Sequence, residues 1–143
     1  MTIENICVSL ELAKKLKEAG YPQDSLFWWN FYSPGAMDEE FVRVAYGRYR
    51  LENIGQDSEE SISAPTAAEI GEVLPDQIEE NGNFYDQDIQ KLSGFKGKTQ
   101  WGIRYYTDYP SRLENDFFAK TVGCSMSEAF AKMWLILKEK KCL

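Results

Sequence analysis

The sequence predicts an α+β domain: an antiparallel sheet of three to four strands, covered on one face by about three helices. Two observations carry this. The segments 9–20, 64–75 and 125–141 repeat apolar residues at helical spacing and carry helix start and stop signals. The segments 25–33, 41–51 and 99–109 alternate side chains and are rich in aromatic and β-branched residues, as pleated strands are. Short links between them favour antiparallel pairing, and the expected order is α-β-β-α-(β)-β-α within one domain over 1–143.

The first helix follows a short apolar lead-in (Ile3, Ile6, Val8). Ser9 stands at its N-cap, Leu12, Leu16 and Ala19 form one stripe with Ala13 beside them, and Glu11 faces Lys15 at i,i+4. Gly20 and Pro22 end it. In "SLFWWNFYS" at 25–33, alternation assigns Phe27, Trp29 and Phe31 to the core; Leu26, Trp28, Asn30 and Tyr32 fall on the other side. Pro34-Gly35 signals a turn. In "FVRVAYGRYRL" at 41–51, Val42, Val44 and Tyr46 alternate with Arg43, Ala45 and Gly47, and the polar, acidic stretch 53–63 reads as a loop.

"APTAAEIGEVLP" contains a T-x-x-E capping box from Thr66 to Glu69, a buried face of Ile70, Val73 and Leu74, and a stop at Pro75. A hairpin is expected around Asn81-Gly82 within 77–85, because Asn-Gly suits the left-handed backbone of a two-residue turn. "DQDIQKLSGFKGK" reads as a loop. In "TQWGIRYYTDY" at 99–109, Trp101, Ile103 and Tyr105 oppose Arg104 and Tyr106. The last helix opens on Ser125-x-x-Glu128 and carries Met126, Ala129, Phe130, Met133, Trp134 and Leu137 on one face. "KEKK" at 138–141 complements its dipole.

Composition narrows the function classes. The chain has 143 residues, 43% hydrophobic and 14% aromatic, which excludes a disordered chain and gives enough material for a core. The formal charge of −7 disfavours non-specific attraction to phosphate backbones or anionic membranes. No apolar run approaches a membrane span, and no signal peptide is legible. Three cysteines without a CxxC pattern suit a reducing, cytoplasmic setting. Histidine is absent, which removes Ser–His and Cys–His nucleophile activation and His-ligated zinc. No catalytic or metal-ligating constellation is legible and no cofactor is expected. An enzyme is the least favoured class.

Two stretches imitate motifs. "LSGFKGKT" at 92–99 ends like a phosphate-binding loop, but Leu92 stands where the first glycine belongs and a strand pattern follows instead of a helix. Asp86 and Asp88 open like a calcium loop, but Lys91 and Gly97 occupy positions that require the turn glycine and the bidentate glutamate. The cluster Arg43, Tyr46, Arg48, Tyr49 and Arg50 is the best nucleic-acid hint in the chain.

If one sheet face is open, Trp28, Tyr32, Arg43, Arg104 and Tyr106 lie on it together. A surface of Trp, Tyr and Arg suits a protein interface or a self-association surface. It also suits stacking of single-stranded bases, which the net charge opposes. The plainest alternative is that these side chains merely cover the sheet or pack under a loop such as 53–63. A third reading makes the acidity itself the active property, as a decoy for a host nucleic-acid-binding protein.

Three segments carry a resemblance: "SLELAKKLKEAGYPQDSLFWW" at 9–29, "SAPTAAEIGEVLPDQI" at 63–78 and "SMSEAFAKMWLILKEK" at 125–140. In that order, with the Trp101 strand, they resemble small proteins encoded in bacteriophage and prophage regions of gut bacteria. These share AKxLKExGYPQ, SAPTxxExxxxLP and EAxAKMWLxLKE patterns. The resemblance covers roughly half the chain and implies a phage origin and a bacterial-host cytoplasm. It implies no activity, cofactor or catalytic residue. Segments 34–62 and 107–124 lie outside it. The expectation is a phage-derived accessory protein, most simply a non-enzymatic protein-interaction module.

Overall fold

Ser9 begins the first long helix as its side chain requires: its hydroxyl accepts the Leu12 amide at 3.3 Å. In this computed structural model, which describes residues 3–31, 42–46, 61–107 and 117–143, a single turn α1 (Ile3–Ile6) precedes that helix, α2 (Leu10–Glu18). Leu12, Ala13 and Leu16 are buried, and Glu11 and Lys15 pair at 2.8 Å on the exposed side. Gly20, at φ 90°, lets the chain reverse so that the Tyr21 amide reaches the Leu16 carbonyl at 2.8 Å. Tyr21 then packs edge-on against Trp134, ring centroids 5.1 Å apart.

The α+β class holds, with every described strand antiparallel to its neighbours, but the strands divide into two sheets. The first has the order β2 (Val42–Tyr46), β1 (Phe27–Phe31), β3 (Ile62–Ser63). Helix α3 (Ala67–Val73) follows, with the capping box complete: Thr66 Oγ1 accepts the Glu69 amide, and Glu69 Oε2 accepts the Thr66 amide at 2.8 Å. Glu69 Oε1 also accepts the Leu26 amide at 2.8 Å, which ties this cap to the entry of β1.

The second sheet is a meander, β4 (Gln77–Glu80), β5 (Asn83–Ser93), β6 (Thr99–Tyr106), β7 (Phe117–Gly123). Asn81 and Gly82, at φ 53° and 79°, make the expected two-residue turn between β4 and β5. The stretch read as a loop after Asp86 is instead the body of β5, an 11-residue strand. Its side chains are Asp, Gln and Lys alternating with few apolar groups, so hydrophobic periodicity could not reveal it. What holds it is a ladder of eight cross-strand pairs to β6. The phosphate-loop imitation is the turn between them, Phe95–Gly97 in a 3-10 turn with Gly94 donating to Lys98 O at 2.7 Å. A side chain at Gly94 would stand 2.4 Å from that carbonyl oxygen, so glycine is required.

Helix α4 (Met126–Glu139) closes the fold. Ser125 Oγ accepts the Glu128 amide at 3.1 Å, but the reciprocal arm reaches one residue further back than a capping box does: Glu128 Oε2 accepts the Cys124 amide at 2.7 Å. Burial pulls the Glu128 carboxyl upward; hydrogen bonds from Lys132 and the Cys124 amide outweigh this and hold it below its ordinary value. Met133, Leu137 and Ala129 of α4, Leu16 of α2 and Ile70 of α3 meet Ile103 and Tyr105 of β6 in one core. The helices therefore cover one face of the four-stranded sheet. Among the described residues no helix is long and apolar enough to cross a membrane.

Candidate interaction surface

Strand alternation decides which side chains the helices leave uncovered. Ile103 and Tyr105 point into the core, so Arg104 and Tyr106 point to the opposite face, as expected from the sequence. Arg104 sits directly between Asp88 on β5 and Lys120 on β7. Its Nε donates to Asp88 Oδ2 at 2.7 Å, and the pair is partly shielded, with side chains 24% and 30% exposed. Like charges opposite one another on a sheet repel. Here Asp88 neutralises the guanidinium from one side while Lys120 leans over the Phe117 ring at 5.6 Å. The guanidinium carbon lies 4.6 Å from the Tyr106 ring centroid and 5.3 Å from that of Phe117. A register irregularity at Tyr105/Tyr106 brings Phe117 opposite Tyr106 and so into this cluster.

The other expected members of the face are not there. Trp28 is buried, only 7% exposed, and belongs to the first sheet. The correction has a physical reason. Alternation gives the side a residue points to, not whether that side is open. Here β1 is the central strand, and on the Trp28 side its neighbours are the small Ala45 and Ser63. Asn30, on the same side, is 1% exposed and accepts a hydrogen bond from Ser61 at 3.0 Å. Polar groups that satisfy one another allow the second side of a strand to be buried as well. The backbone of Arg43 pairs with Asn30, which places it in the first sheet, apart from Arg104 and Tyr106. The Arg43 side chain, Tyr32, the Pro34-Gly35 turn and the cluster of Arg48, Tyr49 and Arg50 lie outside the described residues.

Sequence reasoning missed three members of the cluster. Asp88 was absorbed in the calcium-loop comparison. Phe117 and Lys120 lie in β7, whose "FFAKTV" carries a readable strand signal of aromatics followed by alternation.

A cleft of about 420 Å³ lies between α1 and the starts of α3, β6 and α4, lined by Ile6, Thr66, Ala67, Trp101, Cys124 and Met126. Among the described residues no charged side chain lines it. The tyrosines with raised pKa have structural causes: Tyr21 is pushed up to about 12 by burial, with Glu69 nearby, and Tyr105 is raised chiefly by burial. Among the described residues no group of His, Cys, Asp and Glu could hold a metal ion. Comparison with family models, with curated proteins and with solved structures gives no match for this chain.

Proposed function

We propose that the protein is a non-enzymatic protein-interaction module whose partner docks on the uncovered face of the four-stranded sheet, at Arg104, Tyr106 and Phe117. The observation that carries this reading is the held guanidinium. Asp88 and two aromatic rings fix Arg104 in place on a face that no described helix covers. A fixed Arg beside aromatic rings is the composition of interface hot spots, because little side-chain entropy remains to be lost on binding. The resemblance to phage and prophage proteins extends the proposal to an accessory role in a bacterial host, with a host or phage protein as partner.

The same cluster gives the single-stranded nucleic-acid reading its one favourable observation, aromatic rings beside Arg104 and Lys120. It is the weaker reading. The rings already carry cations, and Asp86, Asp88 and Glu79 lie on the same face.

The test uses the full chain as bait in lysate of a bacterial host. Arg104→Ala and Phe117→Ala should each lower recovery of a specifically retained protein about tenfold, the scale of a ~1.4 kcal/mol contact. Lys138→Ala, on α4, should not. Equal recovery by all three variants refutes the assigned face. Salt-sensitive binding of oligothymidine by the wild type, lost in Phe117→Ala, would replace the protein reading with the nucleic-acid one.

A further inference from the structure

The edge of the same sheet is only partly covered among the described residues. Strand β4 is 4 residues long and β5 is 11, so β4 covers only the first part of β5. The pairing ends at Gln77↔Asp86, and one more bond follows, Gln87 N to Asp76 O at 3.0 Å. That bond fixes the direction of every later amide. Gln87 points to the β4 side, so by alternation the N–H and C=O groups of Ile89, Lys91 and Ser93 point there too, where no described strand stands. Asp88, Gln90 and Leu92 bond the other way, to β6. The open window runs from Asp88 to Ser93 and is closed beyond by the Gly94–Lys98 turn.

An open edge of this length is usually guarded by proline, a bulge or an outstretched lysine. The window has no proline and its pairing to β6 is regular. Its one lysine, Lys91, does not stretch across the edge, because its ammonium lies back over the Trp101 ring at 5.8 Å. Ile89, on the core side, is 43% exposed. Trp101, the cross-strand partner of Lys91, lines the apolar cleft.

We propose that this edge binds an extended peptide segment of a partner protein, which adds as a strand alongside residues 88–93. Its backbone pairs with Ile89, Lys91 and Ser93. Its core-side residues are apolar, covering Ile89 and reaching toward the cleft beside Trp101, and an acidic residue sits opposite Lys91. Strand addition of this kind takes its affinity from main-chain hydrogen bonds and its selectivity from pockets for alternate side chains. A second copy of the chain fits less well. Antiparallel self-pairing about Gln90 would set the copy's Gly94 against Asp86, where Gln77 already sits. Self-pairing about Lys91 would set the two Lys91 ammonium groups opposite each other.

The probe is a displayed library of linear peptides of about ten residues, panned on the full chain, with the best binder then synthesised. Bound peptide should slow amide exchange at Ile89, Lys91 and Ser93 at least tenfold. Lys91→Pro removes an amide that no described strand uses and should weaken binding at least tenfold relative to Lys91→Ala, which keeps it. Methylating alternate peptide nitrogens gives the same reading without touching the protein: one alternating set abolishes binding and the other does not. The proposal is overturned if no peptide is enriched, if Lys91→Pro and Lys91→Ala bind alike, or if methylation shows no alternation. Protection confined to Arg104 and Tyr106 overturns it in favour of the face described above. A doubled native mass with the three amides protected without peptide assigns the edge to a second copy instead.

Discussion

Removing one hydroxyl, in Tyr105→Phe, tests the account of how β6 holds the chain leading out of α3. Tyr105 is fully buried; its hydroxyl donates to the Pro75 carbonyl at 2.5 Å and accepts from Gln87 Nε2 at 3.0 Å. Phenylalanine keeps the ring and its packing, so the loss is confined to these bonds. The Pro75 oxygen retains Gln87 Nε2 at 3.3 Å, and so is not left bare. One neutral hydrogen bond contributes about 1 kcal/mol net, and the weakened Gln87 contact adds a fraction of that. The expected cost is about 1–2 kcal/mol, roughly 3–6 °C in Tm for a domain of this size. Urea unfolding should show the midpoint move with the slope unchanged. Alkaline pH provides a second arm. The Tyr105 pKa is raised in the folded state, so its stabilising contribution is full below the unfolded tyrosine value and is lost as pH rises through the folded one. Tyr105→Phe should therefore lose part of the wild type's decline in stability above about pH 10. A cost below about 0.3 kcal/mol together with an unchanged alkaline profile would show that the hydroxyl does not tie Pro75 to the sheet.

Gly123→Ala should be destabilising by roughly 2–3 kcal/mol or more in denaturant unfolding, because the new methyl would stand 2.7 Å from Ala129 N and 3.0 Å from Ser125 O, backbone atoms that cannot rotate away. Gly102→Ala crowds the end of the Leu92 side chain at 3.2 Å and meets the nearest backbone oxygen at an ordinary 3.6 Å, so it should cost under about 1 kcal/mol; equal costs would refute the distinction. Glu69→Ala removes acceptors from Thr66 and from the Leu26 amide and should cost about 1–2 kcal/mol, with faster amide exchange at Leu26 as its local sign. Tyr21 should titrate near pH 12 by ultraviolet absorbance; its contribution to stability is full below about pH 10 and falls as pH rises from there, and Tyr21→Phe should remove that fall.

Elements with their own local signals were legible in the sequence. The Ser9 and Thr66 caps, the Asn81-Gly82 turn and the stripe of α4 state their structure within a few residues. What could not be read depends on partners far away in the chain. The polar β5 becomes a strand because β6 offers it a full ladder. Trp28 is buried because its neighbours come from β2 and β3 and are small. Arg104 and Tyr106 were legible as members of one face through alternation alone. Asp88 and Phe117 joined them through cross-strand register, which one strand's sequence does not contain.

The meander has a consequence in time. Strands β4 to β7 lie side by side in the order in which the chain makes them, so each pairing closes a short loop and the entropic barrier to forming that sheet is low. The first sheet is complete only when β3 reaches β1 from far along the chain; the contact between Ser25 and Ser63 closes 38 residues. In pulsed-exchange refolding the amides of Ile103 and Thr121 should therefore become protected before that of Trp29, which faces β3, and simultaneous protection would contradict this. On this account the molecule assembles from its second half backward, and the aromatic segment near its beginning is among the last parts to leave water.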